Sequence, residues 1–325
     1  MMFVGNNVRS STYNIDTNGF ELSGINPARS KFSTDGTINC VKVNSGLTNV
    51  TIENMYFQGV GLKTTQSYLI YIDDNCSNIT IRGCVFDGAT GGIIVRPGCK
   101  NIFIIGCTFR NMVYIPGAGA ASGGNYSAGG AGSYGVVFQE EPKTVQIYNS
   151  QVEVPGGVTH GVISGCVFEP TVVRHAVYIQ SSSDVLICDN VIYGTTAMNN
   201  QTLMEALLTT GLTQSQINAF DVTKHMTVYD SAISFRGCSN VRIINNYLDG
   251  GICCLNGSPD NTAFQNRGER YLFKDNIVKN YVKPNDVNNN ITAINRLFNL
   301  NNINTVVKEN NTISNCTGYS QYWSS

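Results

Sequence analysis

A nine-residue segment recurs along this chain, and no other feature restricts the fold as tightly. NVTIENMYF (Asn49 to Phe57), NITIRGCVF (Asn78 to Phe86), NIFIIGCTF (Asn101 to Phe109) and HGVISGCVF (His160 to Phe168) superpose without gaps. DVLICDNVI (Asp184 to Ile192), NVRIINNYL (Asn240 to Leu248) and RYLFKDNIV (Arg270 to Val278) follow, and TVVKENNTI (Thr305 to Ile313) matches less closely. One column therefore reads Met55, Cys84, Cys107, Cys166, Asn190, Asn246, Asn276, Asn311. Two residues on, a second reads Phe57, Phe86, Phe109, Phe168, Ile192, Leu248, Val278, Ile313. Successive spacings of 29, 23, 59, 24, 56, 30 and 35 residues set a basic period in the low twenties, with insertions in the longer intervals.

Inside each unit the apolar residues alternate, as at Ile79 and Ile81, then Cys84 and Phe86 after a bend at Gly83. That is the period of strands, and it matches helical and leucine-rich repeats poorly. Strands this short bury their inward face only by stacking turn on turn at about 4.8 Å. The expected fold is all-β: a right-handed single-stranded parallel β-helix, one domain over residues 1–325, with loop insertions and a short helical insertion. Eight recognisable turns predict a rod on the order of 40 Å long. Lys308 falls at an inward position of the last unit, which leaves the register there open.

A second strand precedes the first in each turn: CVKVN (Cys40 to Asn44), LIYID (Leu69 to Asp73), GIIVR (Gly92 to Arg96), GVVFQ (Gly135 to Gln139), AVYIQ (Ala176 to Gln180) and AISFR (Ala232 to Arg236). Its outward positions form a column Lys42, Tyr71, Ile94, Val137, Tyr178, Ser234 and a polar column Asn44, Asp73, Arg96, Gln139, Gln180, Arg236. Three insertions interrupt the pattern. Residues 116–133 are rich in Gly and Ala and read as a loosely packed, lid-like loop. Residues 140–159 contain TVQIYNSQVEV, an extra strand pair, and residues 195–230 turn helical, with Thr202/Glu205 and Thr213/Gln216 as capping boxes.

Composition narrows the partners. Charged residues are 13 % of the chain and the formal net charge is −1, which offers no broad attraction for a nucleic-acid backbone or an anionic membrane. No apolar run is long enough to span a membrane, and Met1 to Asn7 lacks the basic start and apolar middle of a secretory signal. The 11 cysteines include no CxxC pair, and only His160, His175 and His225 are available as imidazole ligands. Neither a metal site nor a cofactor is expected. Cys84, Cys107 and Cys166 form one ladder and Cys76, Cys99 and Cys238 another, with side chains pointing the same way across parallel turns; they should be reduced thiols.

The xNITIxxCxF turn, the Asn and Cys ladders and the insertions resemble the pectate-lyase-like superfamily, and most closely the tailspikes and depolymerases of bacteriophages. The resemblance covers roughly Asn39 to Ile313. It implies a homotrimeric spike on the virion that binds, and often cleaves, a bacterial capsule or lipopolysaccharide glycan. Otherwise the chain would be a secreted or cell-surface protein. The head-binding and trimer-forming terminal domains of many tailspikes are not recognisable in it. Polygalacturonases carry a paired Asp leading into a strand and a Gly-His-Gly, whereas here Asp73-Asp74 follows its strand and His160 sits in Thr-His-Gly. The clustered Asp ligands of calcium-dependent pectate lyases are also missing, so no catalytic residue is carried over from either branch.

The residues suggest a site directly. Like columns on alternate turns lie about 9.6 Å apart, close to the upper end of the 6.5–9.5 Å carboxylate separation of inverting glycoside hydrolysis. Asp73 and Asp74 lie on one turn, Glu140 and Glu141 two turns on, and Arg96 between them. One carboxylic acid protonates the glycosidic oxygen while the other, as carboxylate, activates water. That arrangement places hydrolase ahead of lyase. Arg96, Tyr71, Tyr178, Gln180, Arg236 and His175 are the candidate glycan contacts. Asp73-Asp74-Asn75 and Glu140-Glu141-Pro142 are equally good turn sequences, so a purely structural role for both pairs stays open.

Overall fold

The computed structural model describes residues 1–59, 67–112, 133–139, 143–147, 150–154, 156–169, 174–194, 231–251, 253–258, 270–282, 296–300, 306–319 and 321–323. Two left-handed backbone positions shape the repeat. The residue before the Cys/Asn column is Asn54, Gly83, Gly106, Gly165, Asp189, Asn245, Asp275 and Asn310 in successive units, all with φ between 52° and 63°. This conformation costs most L-residues about 1–2 kcal/mol, and Gly, Asn and Asp tolerate it best. The first residue of the repeat is left-handed as well, from Asn49, Asn78 and Asn101 through His160 and Asp184 to Asn240 and Arg270. Asn78 donates through Nδ2 to Asn49 Oδ1 at 3.0 Å and Asn101 to Asn78 at 2.8 Å, so one corner of the rod carries an exposed amide ladder.

Each turn contributes one strand to each of three sheets, as Ser77–Arg82, Val85–Asp87 and Gly91–Val95 do. The three sheets have ten strands each, every neighbouring pair is parallel, and nine turn spacings make a rod about 43 Å long. This is the architecture of a right-handed parallel β-helix, the hand that nearly all parallel crossovers take. The ladders reach further than the repeat suggested. Met2–Phe3, Gly5–Val8 and Tyr13–Ile15 already form the first turn. Lys308 pairs with Phe273 at the inward register position of the tenth turn of the first sheet, where partial burial lowers its pKa.

The core follows the two columns. Phe57, Phe86, Phe109 and Phe168 are fully buried in register on the second sheet, and their rings stack at 5.5, 4.8 and 4.7 Å. Glycines opposite make room for them: a Cβ at Gly92 would lie 2.6 Å from the Phe109 ring, and one at Gly135 2.5 Å from that of Phe168. At the corner between the first and second sheets, Asn246 Oδ1 accepts from the Asn190 main-chain N–H (3.1 Å) and Nδ2 (2.9 Å). Asn276 does the same for Asn246, and Asn311 for Asn276. Cysteines do half of this work. The Cys166 thiol donates to Ser164 O and Ile104 O, the positions that Asn246 Nδ2 contacts as Ile244 O and Ile187 O. All eleven cysteines are free thiols.

The helical insertion expected at 195–230 is corrected. No helix occurs anywhere among the described residues, every element of which is a strand, turn or irregular segment, and 195–230 itself lies outside them. The fold of the described residues is all-β, with no helical element. The Gly/Ala-rich stretch up to residue 132 lies outside the described residues as well. Lys143–Ile147 and Ser150–Val154 pair antiparallel as a separate two-stranded sheet. Among the described residues no helix is long and apolar enough to cross a membrane.

Candidate functional site

Outward side chains of the third sheet stand in the columns that strand alternation requires. Lys42, Tyr71, Ile94, Val137, Tyr178 and Ser234 are successive register partners. The polar column begins one residue after the inward Val43, Ile72, Val95 and Phe138, and each of its members is partly exposed. Main-chain bonds fix its rungs: Asp73 N donates to Val43 O, Arg96 N to Ile72 O and Gln139 N to Val95 O, each at 2.9 Å.

Charges at one end of this face are linked across four turns. Lys42 Nζ lies 2.8 Å from Asp73 Oδ2, and the Asp74 main-chain N–H donates to Asp73 Oδ1 at 3.0 Å. Arg96 Nε approaches Asp74 Oδ1 at 3.4 Å, and Arg96 Nη1 donates to Gln139 Oε1 at 2.8 Å. The hydrogen bond to Asp73 raises the Lys42 pKa, and burial raises that of Tyr71, over whose ring Lys42 Nζ sits at 5.5 Å.

Aromatic rings occupy the adjoining part. Tyr134 and Tyr178 stack at 5.9 Å and 13°, and His175 lies 5.1 Å from Tyr178 and 5.9 Å from Tyr134. Tyr68, Ile94, Tyr134 and Val137 form a buried cluster outside the solenoid wall, with Tyr71 and Tyr178 packed against it. His175 is itself buried, with Nδ1 3.0 Å from Ser231 O and 3.1 Å from Ser231 Oγ. The same Nδ1 also faces the Ser231 main-chain N–H at 3.3 Å, so Ser231 presents it with both a donor and an acceptor.

The structure thus brings Asp73, Asp74, Arg96 and Tyr71 together and adds Lys42 and Gln139. Tyr178, Gln180 and His175 lie on the strand Arg174–Gln180, three turns from Asp73 or about 14 Å along the rod, and Arg236 follows beside Gln180. Glu140 and Glu141 lie outside the described residues. Among the described residues no three His, Cys, Asp or Glu side chains gather as a metal site.

Sequence reasoning missed a charged cluster on the second sheet. Asp87 is buried, and its Oδ2 accepts from Tyr56 OH and from Arg110 Nε (3.1 Å) while Oδ1 accepts from Asn111 Nδ2 (2.8 Å). Arg110 Nη2 closes the ring of contacts on Tyr56 OH at 2.9 Å. Burial, and then the bond to Asp87, raise the Tyr56 pKa; the bond to Tyr56 raises that of Arg110. Both Asp87 oxygens are engaged, so the cluster braces the wall. Its signal was available, because Gln58, Asp87 and Arg110 directly follow the Phe column.

No family model matches the chain, and no curated protein does. Among solved structures, the enzymatically active domain of bacteriophage CBA120 tailspike protein 2 superposes at TM-score 0.47 with 10 % identity, covering 98 % of this chain and 38 % of that one. The chain therefore spans well under half the length of that tailspike domain. The alginate lyase of Paenibacillus sp. str. FPU-7 superposes at 0.42 with 13 % identity, covering 95 % and 90 % of the two chains. The A-module of the Azotobacter vinelandii mannuronan C-5 epimerase AlgE6 gives 0.37 with 10 % identity, covering 98 % and 85 %.

Proposed function

We propose that the outer face of the third sheet binds a bacterial surface polysaccharide, capsule or O-antigen, and cleaves its glycosidic bonds. The observation that carries this reading is the line Lys42, Asp73, Asp74, Arg96, Gln139 running beside the half-buried rings of Tyr71 and Tyr178 on one rigid sheet. Rings accept the apolar faces of sugars, and the polar column supplies hydrogen bonds to their hydroxyls. In the cleavage step, Asp73 or Asp74 acts as the carboxylate that activates water. Glu140 or Glu141 is the acid that protonates the leaving oxygen, and Arg96, on the turn after the aspartates, holds an acidic sugar. On this reading the chain forms a single domain and works as a tailspike-like homotrimer on a phage tail, or otherwise as a secreted or surface protein.

One observation favours a second reading, a binding spike or cellular adhesin without catalysis: both carboxylates already face cations, Asp73 with Lys42 and Asp74 with Arg96. A screen of purified protein against bacterial capsules and O-antigens separates the two. Size reduction with new reducing ends supports hydrolysis, and a 4,5-unsaturated product absorbing in the ultraviolet indicates a lyase. Retention of an intact glycan supports the binding spike.

A further inference from the structure

Glu169, Tyr193, Asp249 and Lys279 succeed one another on four turns of the second sheet, a different side of the rod from the groove above. Each directly follows an inward residue of the Phe168, Ile192, Leu248, Val278 column. Tyr247 and Ile277 stand beside them in the neighbouring outward column. Tyr193 and Ile277 are exposed, and the Tyr193 and Tyr247 rings meet at 6.5 Å and 68°. Lys279 Nζ lies 5.3 Å from the Tyr247 ring centre. Asp249 is held in place by Tyr247 OH on Oδ2 (2.8 Å) and Asn280 Nδ2 on Oδ1 (2.7 Å), and Asn315 Nδ2 continues to Asn280 Oδ1 at 3.3 Å.

Much of the hydrogen-bonding capacity here is unspent. Among the described residues, the Tyr193 hydroxyl, the Glu169 carboxylate and the Lys279 ammonium make no side-chain hydrogen bond or ion pair. Each Asp249 oxygen retains one acceptor site. Glu169 and Asp249 are matched by Lys279 and by Arg110, which precedes Glu169 in the column, so the face carries no excess positive charge to draw a polyanion. The exposed Tyr193 ring, with the half-buried Tyr247 ring at its edge and donors and acceptors of both kinds around it, matches a ligand with an apolar C–H face edged by hydroxyls. A pyranose has that form.

We propose that this face is a second glycan-docking platform that takes a neutral hexopyranosyl chain lying across the turns, with Tyr193 as its main stacking surface. It is independent of the third-sheet groove and holds whether or not that groove cleaves anything. The platform would keep a long polymer tethered by avidity while another part of it occupies the groove.

The test is saturation-transfer NMR with dextran as probe, on the whole chain. The parent should transfer saturation to the sugar ring protons. Tyr193→Ala should weaken binding about tenfold, equivalent to about 1.4 kcal/mol, and Tyr193→Phe, which keeps the ring, should retain most of it. Circular dichroism identical to the parent's shows that the variants fold. Absence of transfer from the parent, or equal transfer from Tyr193→Ala, overturns the platform. Equal transfer from Tyr193→Ala would locate dextran elsewhere on the chain and leave the reading of the third-sheet groove standing.

Discussion

Replacing Asn246 by Ala tests the load carried by the amide ladder. The substitution removes the Oδ1 that accepts from Asn190 N and Nδ2, and the Nδ2 that donates to Asn276 Oδ1, Ile187 O and Ile244 O. Some partners have a second bond: Asn190 Nδ2 keeps Ile163 O, and Asn276 Oδ1 keeps the Asn246 main-chain N–H. The Asn190 main-chain N–H, in a residue 1 % exposed, loses its acceptor outright. An orphaned buried donor costs about 1–3 kcal/mol, and the other lost bonds add about 1 kcal/mol net. The expected destabilisation is about 3 kcal/mol, read from the shift of the urea midpoint at constant m. Asn246→Cys restores a donor to the two carbonyls, as Cys166 does naturally, and should fall between Ala and the parent. Asn246→Asp turns a carboxylate oxygen toward carbonyls and should be the worst of the three. An alanine variant within about 0.5 kcal/mol of the parent, or an aspartate variant more stable than alanine, would refute the reasoning.

Further outcomes concern the candidate groove and the thiols. Asp73→Asn, Asp74→Asn, Glu140→Gln and Glu141→Gln should each fold and still bind glycan, and loss of a general acid or base should cut depolymerisation about 10²–10⁴-fold in reducing-end assays; activity surviving in all four sinks the site. Titration with a thiol reagent should find eleven free thiols after denaturation and only slow reaction before it; a count far below eleven would mean disulfides. Burial raises the Cys40 pKa from 9.0 to about 12, and burial raises those of Cys107 and Cys254 as well. A raised native pKa means that the unfolded chain holds fewer protons above pH 9, so this stability is complete below that pH and is lost as pH climbs toward 12. Melting temperatures should therefore fall steadily from pH 9 upward; a flat profile to pH 11 would contradict the burial argument.

The sequence exposed the solenoid because its constraints are local and repeated. A bend that needs a left-handed residue selects Gly, Asn or Asp at one position, and an inward position two residues after the corner selects Phe or an aliphatic. The first two turns were harder to see: Leu22 and Phe32 fill the inward positions opposite Ile52 and Phe57, but no Asn-x-Thr-Ile surrounds them. Asp73, Asp74 and Arg96 could be placed on one face by counting alternation. Counting could not show that Lys42 and Arg96 face those carboxylates at 2.8 and 3.4 Å, because side-chain reach across turns is not written in the register. Attention to the third sheet also hid the second, where Asp87, Arg110, Glu169 and Asp249 occupy a single outward column.

The corner ladder has a polarity that acts on the chain like a grammar. Asn190, Asn246 and Asn276 each send their main-chain N–H and an Nδ2–H forward to the oxygen of the next turn, and the last thiol, Cys166, hands its main-chain N–H to Asn190 Oδ1 in the same direction. A thiol turn followed by an amide turn leaves no donor idle. The reverse order would aim an amide N–H₂ at sulfur, a weak acceptor. Whole turns can therefore be duplicated or deleted within the thiol block or within the amide block at little energetic cost, whereas transposing one across the boundary strands a buried donor. A solenoid of this kind can change length freely in evolution while the order of its two blocks stays fixed.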